Sequence, residues 1–312
     1  MGGVDMGACD LQVIISPAKK MLTATEAGER VDFAPRDIPP FPEASARVLA
    51  ALRSLAPDEL RALWKVRDRL FAENVARMGS FELVPSWEDA RKPPLAGLMA
   101  PAIFSYVGIQ YQSMAPEVLD APALEWLQGH LWVLSALYGC ARPFDAVMPY
   151  RLEMGARLSV GGARDLYAFW GPLLGALVGG GAKGAGGVAD GGEVVGAGEA
   201  VGASGVAGAP APICVVNLAS VEYSRAVLPW LPAGTPVVTC LFGEALKDGR
   251  PVQRSTASKT ARGSMVRWLA ERRPDDPAEL CAFDVGYRFA PEPSDAPSLS
   301  GEVAGTLVFM RA

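Results

Sequence analysis

Between Leu131 and Gly171 the chain reads LWVLSALYGCARPFDAVMPYRLEMG, then a short link, then DLYAFWG, and no single regular element can hold that run. Gly139, Pro143 and Pro149 forbid a long helix, since proline lacks the amide proton and clashes with the preceding turn. Leu131, Val133 and Ser135 alternate with Trp132, Leu134 and Ala136, which is the period of a half- or fully buried strand. Beyond that strand the chain must form a shaped loop. The loop carries Arg142, Arg151, Asp145, Glu153 and Asp165 among tyrosines and a tryptophan. Guanidinium offers a planar fork of donors, so two arginines on a rigid loop suit a phosphate or a carboxylate. The same residues also suit a purely structural network, in which Arg151 and Glu153 satisfy each other and lock the loop.

Elsewhere short apolar runs alternate with helical periods. Strands are expected at 11–15, 102–106, 131–137, 213–218, 236–246, 250–257, 286–289 and 306–310. Helices are expected at 42–55, from 57 through 78, and at 116–129, 165–178 and 259–272. Asp248-Gly249 is a hairpin turn between two of the strands, so the sheet is mixed. The expected fold is α/β: one domain over 11–312, with a mixed sheet and a helical N-terminal part. Residues 1–10 read as a frayed N-terminus. In 179–212, 13 of 34 residues are glycine, and most of the rest are alanine and valine. Such a stretch buries too little side chain to offset its ordering entropy, so it reads as a flexible insertion within the domain.

Composition narrows function. Net charge is −5, against a globally basic nucleic-acid binder, though a local patch remains open. The five cysteines lack C-x-x-C spacing and read as reduced cytosolic thiols. His130 is the one histidine, which disfavours a histidine-built metal centre; it reads as a partly buried, hydrogen-bonded side chain. Neither a signal-peptide pattern nor an apolar run long enough to span a membrane is present, so a cytoplasmic protein is expected, without a cofactor or metal and away from membranes.

Two further stretches carry chemistry. Ser16-Pro17-Ala18-Lys19 follows the first strand, at the sheet edge where ligands sit in open α/β folds. From Lys247 to Arg273, eight basic residues face two acidic ones. Ser258 or Thr256 can cap the helix there. Lys259, Arg262 and Gly263 fall near its N-terminus, where amide groups, two cations and a close-approach glycine suit a phosphate. The structural reading of this helix is a basic face paired with acids such as Glu244. Asn217 and Ser220, at the junction after the 213–218 strand, either cap the next helix or orient a ligand.

These motifs, taken together, resemble the YaaA family of bacterial peroxide stress response proteins. The resemblance rests on ISPAK at 15–19, LSALYG at 134–139, PYRLEMG at 149–155, DLYAFWG at 165–171, VNLAS followed by EY at 216–223, ARG at 261–263 and a closing GTLVFMR, all in family order. It implies an α/β architecture distinct from a Rossmann sheet. It implies protection against peroxide tied to lowered free iron, and a DNA-binding groove with a helix–hairpin–helix element. The nearest local candidate for that element, 134–143, has Ala141 where a second glycine belongs, and the stretch before it reads as strand. The expected partner is DNA, bound without sequence specificity, distorted duplex included, by a monomer. Lys19, Arg142, Arg151, Lys259, Arg262 and Gly263 are the anion contacts in this reading. Ser16, Tyr150, Glu153, Asp165, Asn217 and Ser220 shape the site. The alternative is an enzyme acting on a phosphorylated or nucleic-acid substrate at a Lys/Arg/Glu/Asp pocket. No nucleophilic triad or metal-spaced set is present to name its reaction, so the balance leans away from an enzyme. A protein–protein adaptor has only the insertion in its favour.

Overall fold

The computed structural model describes residues 8–31, 33–180, 211–247, 250–292 and 304–312. A mixed seven-stranded sheet forms its centre. The strands are β1 (Asp10–Ile15), β2 (Leu131–Ser135), β3 (Gly139–Ala141), β4 (Ile213–Asn217), β5 (Val237–Gly243), β6 (Tyr287–Phe289) and β7 (Ala304–Arg311). They lie in the order β6-β7-β5-β4-β1-β2-β3. The five inner strands are parallel, and the two edge strands are antiparallel to their neighbours. All five residues of β2 are buried, as are all but the first of β1 and β4. Parallel strands covered on both faces produce such unbroken apolar runs.

β1 pairs with β2 on one side and with β4 on the other, with Ile14 opposite both Trp132 and Asn217. The chain therefore leaves β1 in one direction and later returns to its other flank. In open α/β sheets a crevice forms at the carboxyl ends of the strands where the order reverses.

Seven helices matter here: α1 (Pro42–Arg53), α2 (Pro57–Trp64), α3 (Asp68–Ser80), α4 (Ile109–Met114), α5 (Ala121–His130), α6 (Leu166–Val178) and α7 (Ser255–Arg272). The long helical stripe expected after residue 57 is two helices, because Lys65 takes a left-handed conformation (φ 50°) and ends the first. The helix expected from residue 116 starts at Ala121, where Asp120 accepts a hydrogen bond from the Ala123 amide at 2.9 Å.

Several expectations are corrected. The 102–106 strand is instead a buried helical turn (Ala102–Ser105) followed by a two-residue strand, Tyr106–Val107, paired with Lys20–Met21. The aromatic and β-branched content there reflects burial, and the Ala102 and Ile103 amides reach the Asp145 and Pro143 carbonyls instead of a neighbouring strand. The 250–257 strand shrinks to Arg250–Pro251, since α7 begins at Ser255. Neither Thr256 nor Ser258 caps α7; Ser258 is buried inside it. The 134–143 stretch lies in a β-hairpin, with Ser135 opposite Gly139, and contains no helix pair. Gly139 turns it at φ +75°, and a Cβ there would meet Trp170 at 2.8 Å.

At the N-terminus, Cys9 is buried and Asp10 already belongs to β1; residues 1–7 lie outside the described residues, as do Asp248-Gly249 and 181–210. The ends flanking 181–210 are held against each other. A Cβ placed on Gly180 would lie 2.7 Å from Ile213 Cδ1. Among the described residues, no helix is long and apolar enough to cross a membrane.

Candidate functional site

The carboxyl ends of β1 and β4 are tied through the loops that follow them. Ser16 Oγ accepts the Ser220 amide at 2.8 Å and donates to Ser220 Oγ at 3.1 Å. Ser220 stands at the N-cap position of the turn Val221–Ser224, yet its side chain does not cap it, because it is engaged with Ser16. Asn217 sets up this loop from within: it is buried, accepts the Ala219 amide at 3.0 Å and donates to Thr239 Oγ1 at 3.2 Å. Its role is to shape the turn that delivers Ser220, away from the open space.

Over these strand ends lies a cavity of about 420 Å³, closed by four other segments. Lys19 and Lys20 enter from the loop after β1, Gln110 and Tyr111 from α4, Tyr150 to Glu153 from the loop after β3, and Lys259 and Arg262 from α7. Its charged lining is five cations against two carboxylates, Glu153 and Glu222, in a chain of net charge −5. The positive charge is thus concentrated here, where low-dielectric walls strengthen its field.

Glu153 Oε1 accepts Lys19 Nζ and Arg151 Nη2, each at 2.8 Å. The mutual satisfaction of Arg151 and Glu153 holds, with Lys19 as a third member. The Lys19 side chain is 70% exposed, so its half of the bridge is worth little, on the order of 0–1 kcal/mol. Tyr111 donates to the Ser16 carbonyl at 3.1 Å, and the Tyr150 hydroxyl lies 2.8 Å from Ser135 Oγ. Burial pushes the phenols of Tyr111, Tyr150 and Tyr223 up, so all three are neutral at neutral pH.

Arg262 is different. Its Nε is buried without a hydrogen-bond partner, and burial pulls the guanidinium below its ordinary value. Gln110, 6% exposed, likewise has an unpartnered buried Nε2. Neighbouring basic residues do find acids. Glu244 takes Arg254 and Arg311, both at 2.9 Å, and Glu271 takes Arg267 at 2.8 Å. Among the described residues, neither Lys259 nor Arg262 has a carboxylate within ion-pair reach. A buried donor left unsatisfied costs about 1–3 kcal/mol.

Gly263 serves this arrangement indirectly. A Cβ there would sit 2.0 Å from the Gln110 carbonyl oxygen, so what approaches it closely is the backbone of α4, in place of the phosphate expected. The contact seats α7 on α4 and brings Arg262 and Gln110 to the same wall.

Four expected residues are not part of the cavity lining: Asn217 and Gly263, which support it from behind, and Arg142 and Asp165, which lie elsewhere. Arg142 follows β3, which runs back toward the start of β2, and so ends beside Trp132, at the opposite end of the sheet. There its guanidinium lies 3.3 Å from the Trp132 ring centroid and donates to the Leu131 carbonyl and to Gln12 Oε1, at 3.3 and 3.1 Å. Burial lowers its pKa to about 10. It is a packing element. Asp165 caps α6, accepting the Ala168 amide at 2.8 Å, and pairs with Arg164. A cap calls for a side-chain acceptor at that position, which an aspartate supplies as readily as it supplies a site.

The residues that sequence reasoning missed are Gln110 and Tyr111, together with Lys20, Glu222 and Tyr223, which adjoin expected residues. The GIQY run at 108–111 lies between two expected elements and has no charge to draw notice. Its one signal is Gly108, at which a Cβ would press to 3.3 Å from Ala18 Cβ. His130 matches its expected structural role: Nδ1 lies 2.7 Å from the Trp126 carbonyl, and the ring stacks on Trp126.

The sequence matches the family described as peroxide stress protein YaaA over residues 11–188 and 203–293. The chain belongs to the YaaA family. The unmatched 189–202 fall within the glycine-rich stretch. A UPF0246 protein of Limosilactobacillus fermentum is 39% identical over 281 residues, covering 89% of this chain and 94% of its own length. UPF0246 proteins of Lactiplantibacillus plantarum and Laribacter hongkongensis are 34% and 36% identical, covering 92% and 96% of this chain and 96% and 98% of their own lengths. With this YaaA family chain the ISPAK, PYRLEMG and ARG motifs converge on one cavity, whereas DLYAFWG packs into the core through Trp170.

Proposed function

We propose that this YaaA family chain serves in the peroxide stress response as a cytoplasmic monomer that binds DNA through backbone phosphate, without sequence specificity, and thereby limits iron-driven oxidative damage. The observation that carries the reading is a cavity lined by five cations and two carboxylates, in which Lys259 and Arg262 have no carboxylate within ion-pair reach among the described residues. A phosphate oxygen is the acceptor such side chains bind, and every nucleotide of a strand offers one.

The test is fluorescence anisotropy with duplex, bubble and single-stranded DNA across a salt series, comparing the wild type with a Lys259→Ala, Arg262→Gln double variant. The expected result is affinity that falls as salt rises, with a slope that the double variant flattens. A parallel assay scores strand breakage by ferrous iron and peroxide, with and without protein. Absence of binding at low salt rejects the reading.

A second reading is an enzyme acting on a phosphorylated or nucleic-acid substrate. It is favoured by the recessed position of Arg262 at the carboxyl ends of β1 and β4, with Glu153 and Glu222 in the same cavity. Turnover of a phosphorylated substrate that is lost in Glu153→Gln or Glu222→Gln would select it.

A further inference from the structure

A phosphate group alone would leave most of the cavity empty. Its 420 Å³ falls within the roughly 300–1,000 Å³ typical of small-molecule sites. Its polarity also has a direction. A second, wider groove of about 890 Å³ runs past the cavity and is lined by Leu63 and Lys65 at the end of α2 and by Arg157. Lys19, Arg151, Glu153 and Glu222 line both spaces and so mark the boundary between them. Arg262, Lys259 and Gln110 line the cavity alone and form its far wall.

The far wall is built from donor side chains: the Arg262 guanidinium, the Gln110 amide and the Lys259 ammonium. The boundary wall presents acceptors. Glu222 has one oxygen on the Gly155 amide, at 3.1 Å, and Glu153 accepts from Lys19 and Arg151. The neutral Tyr111, Tyr150 and Tyr223 also line the cavity, with broad apolar rings and polar rims. An occupant that satisfies both ends is anionic and acceptor-rich at one end and carries hydroxyl or amino donors at the other.

We infer that the cavity is a receptor for one whole nucleoside 5′-phosphate unit, with the phosphate on Arg262, Lys259 and Gln110 and the sugar or base donors on Glu222 and Glu153. This rests on the anion seat proposed above and adds the identity of what is attached to the anion. The unit has two sources, a free mononucleotide or the end of a strand lying in the groove along Lys65 and Arg157.

Calorimetric titration of the full chain with inorganic phosphate, adenosine and adenosine 5′-phosphate separates the two claims. The mononucleotide binds at least about tenfold more tightly than either fragment, as expected when two satisfied ends act in one ligand. Glu222→Gln, which keeps an acceptor for the Gly155 amide, weakens the mononucleotide several-fold and leaves phosphate unchanged. Lys259→Ala and Arg262→Gln weaken both, and a thermal melt of each variant checks that it is folded. If phosphate binds, is lost in those two variants, and the mononucleotide is no tighter, the unit inference fails while the anion seat stands. If phosphate and mononucleotide both fail to bind, both fall. Competition with a 5′-phosphorylated single-stranded oligonucleotide then assigns the source. Displacement by the mononucleotide means that strand ends occupy the cavity; no displacement leaves the free mononucleotide as its occupant.

Discussion

Arg142 and Arg262 are both withdrawn from water far enough for burial to lower their pKa, and their surroundings treat them oppositely. Arg142 has a tryptophan face beneath it and two oxygens, from Gln12 and Leu131, within hydrogen-bond distance. Arg262 has an orphaned, buried Nε, no carboxylate within ion-pair reach among the described residues, and a side chain that lines the cavity. The first has its desolvation offset within the fold. The second has no such offset there. An arginine in a motif is therefore diagnostic only with its partners in view, because buried charge that is fully engaged is architecture and buried charge left waiting is a site.

The sharpest way to break the contrast is Arg142→Ala. It should lower stability by about 2–4 kcal/mol through lost stacking and hydrogen bonds, with anion affinity per folded molecule unchanged. Denaturant melts together with calorimetric titration check both halves; a loss of affinity without loss of stability would reverse the assignment. Next in size is Gly263→Val. Overpacking against the Gln110 backbone should cost about 1–3 kcal/mol and, by tilting α4 from α7, weaken anion binding as well. Arg262→Leu should do the reverse of Arg142→Ala. Removing an unpaired buried cation should leave the unliganded chain as stable as the wild type or more so, by about 1 kcal/mol, while phosphate no longer protects against melting. Outright unfolding of the Arg262→Leu variant in the absence of ligand would show that Arg262 is structural after all. The smallest effect is Glu153→Gln. Removing the negative charge that Lys19 and Arg151 share should raise inorganic phosphate affinity about two- to threefold, most visibly at low salt.

Much of the architecture was legible because the parallel strands are buried on both faces and leave unbroken apolar runs. β1, β2, β4, β5 and β7 stand close to where those runs lie, and the antiparallel edge strand β6 lies within the expected 286–289. The edge strand β3 was not, since three residues after a glycine turn carry no periodicity. Neither was the turn Ala102–Ser105, whose composition reports burial and not backbone shape. For the site, Ser16, Lys19, Tyr150, Arg151, Glu153, Ser220, Lys259 and Arg262 do meet around one cavity. Arg142 and Asp165 lie elsewhere, because strand direction and helix capping decide where a side chain ends up and neither can be read from residue type. Gln110 escaped notice for the converse reason: an amide in an uncharged run matters only once its neighbours are known.

The contact between Gly180 and Ile213 has a consequence for how this chain tolerates change. The two ends of the glycine-rich stretch meet at the start of β4, whereas the cavity lies past its other end, about 17 Å away at the rise of a strand. The length of chain between those ends is then a nearly free variable: doubling it adds only about 0.6 kcal/mol of closure entropy. That position is a natural port. A reporter domain or a fluorophore can be spliced in there, or the stretch cut to a few residues, and the cavity read out from a distance without being touched.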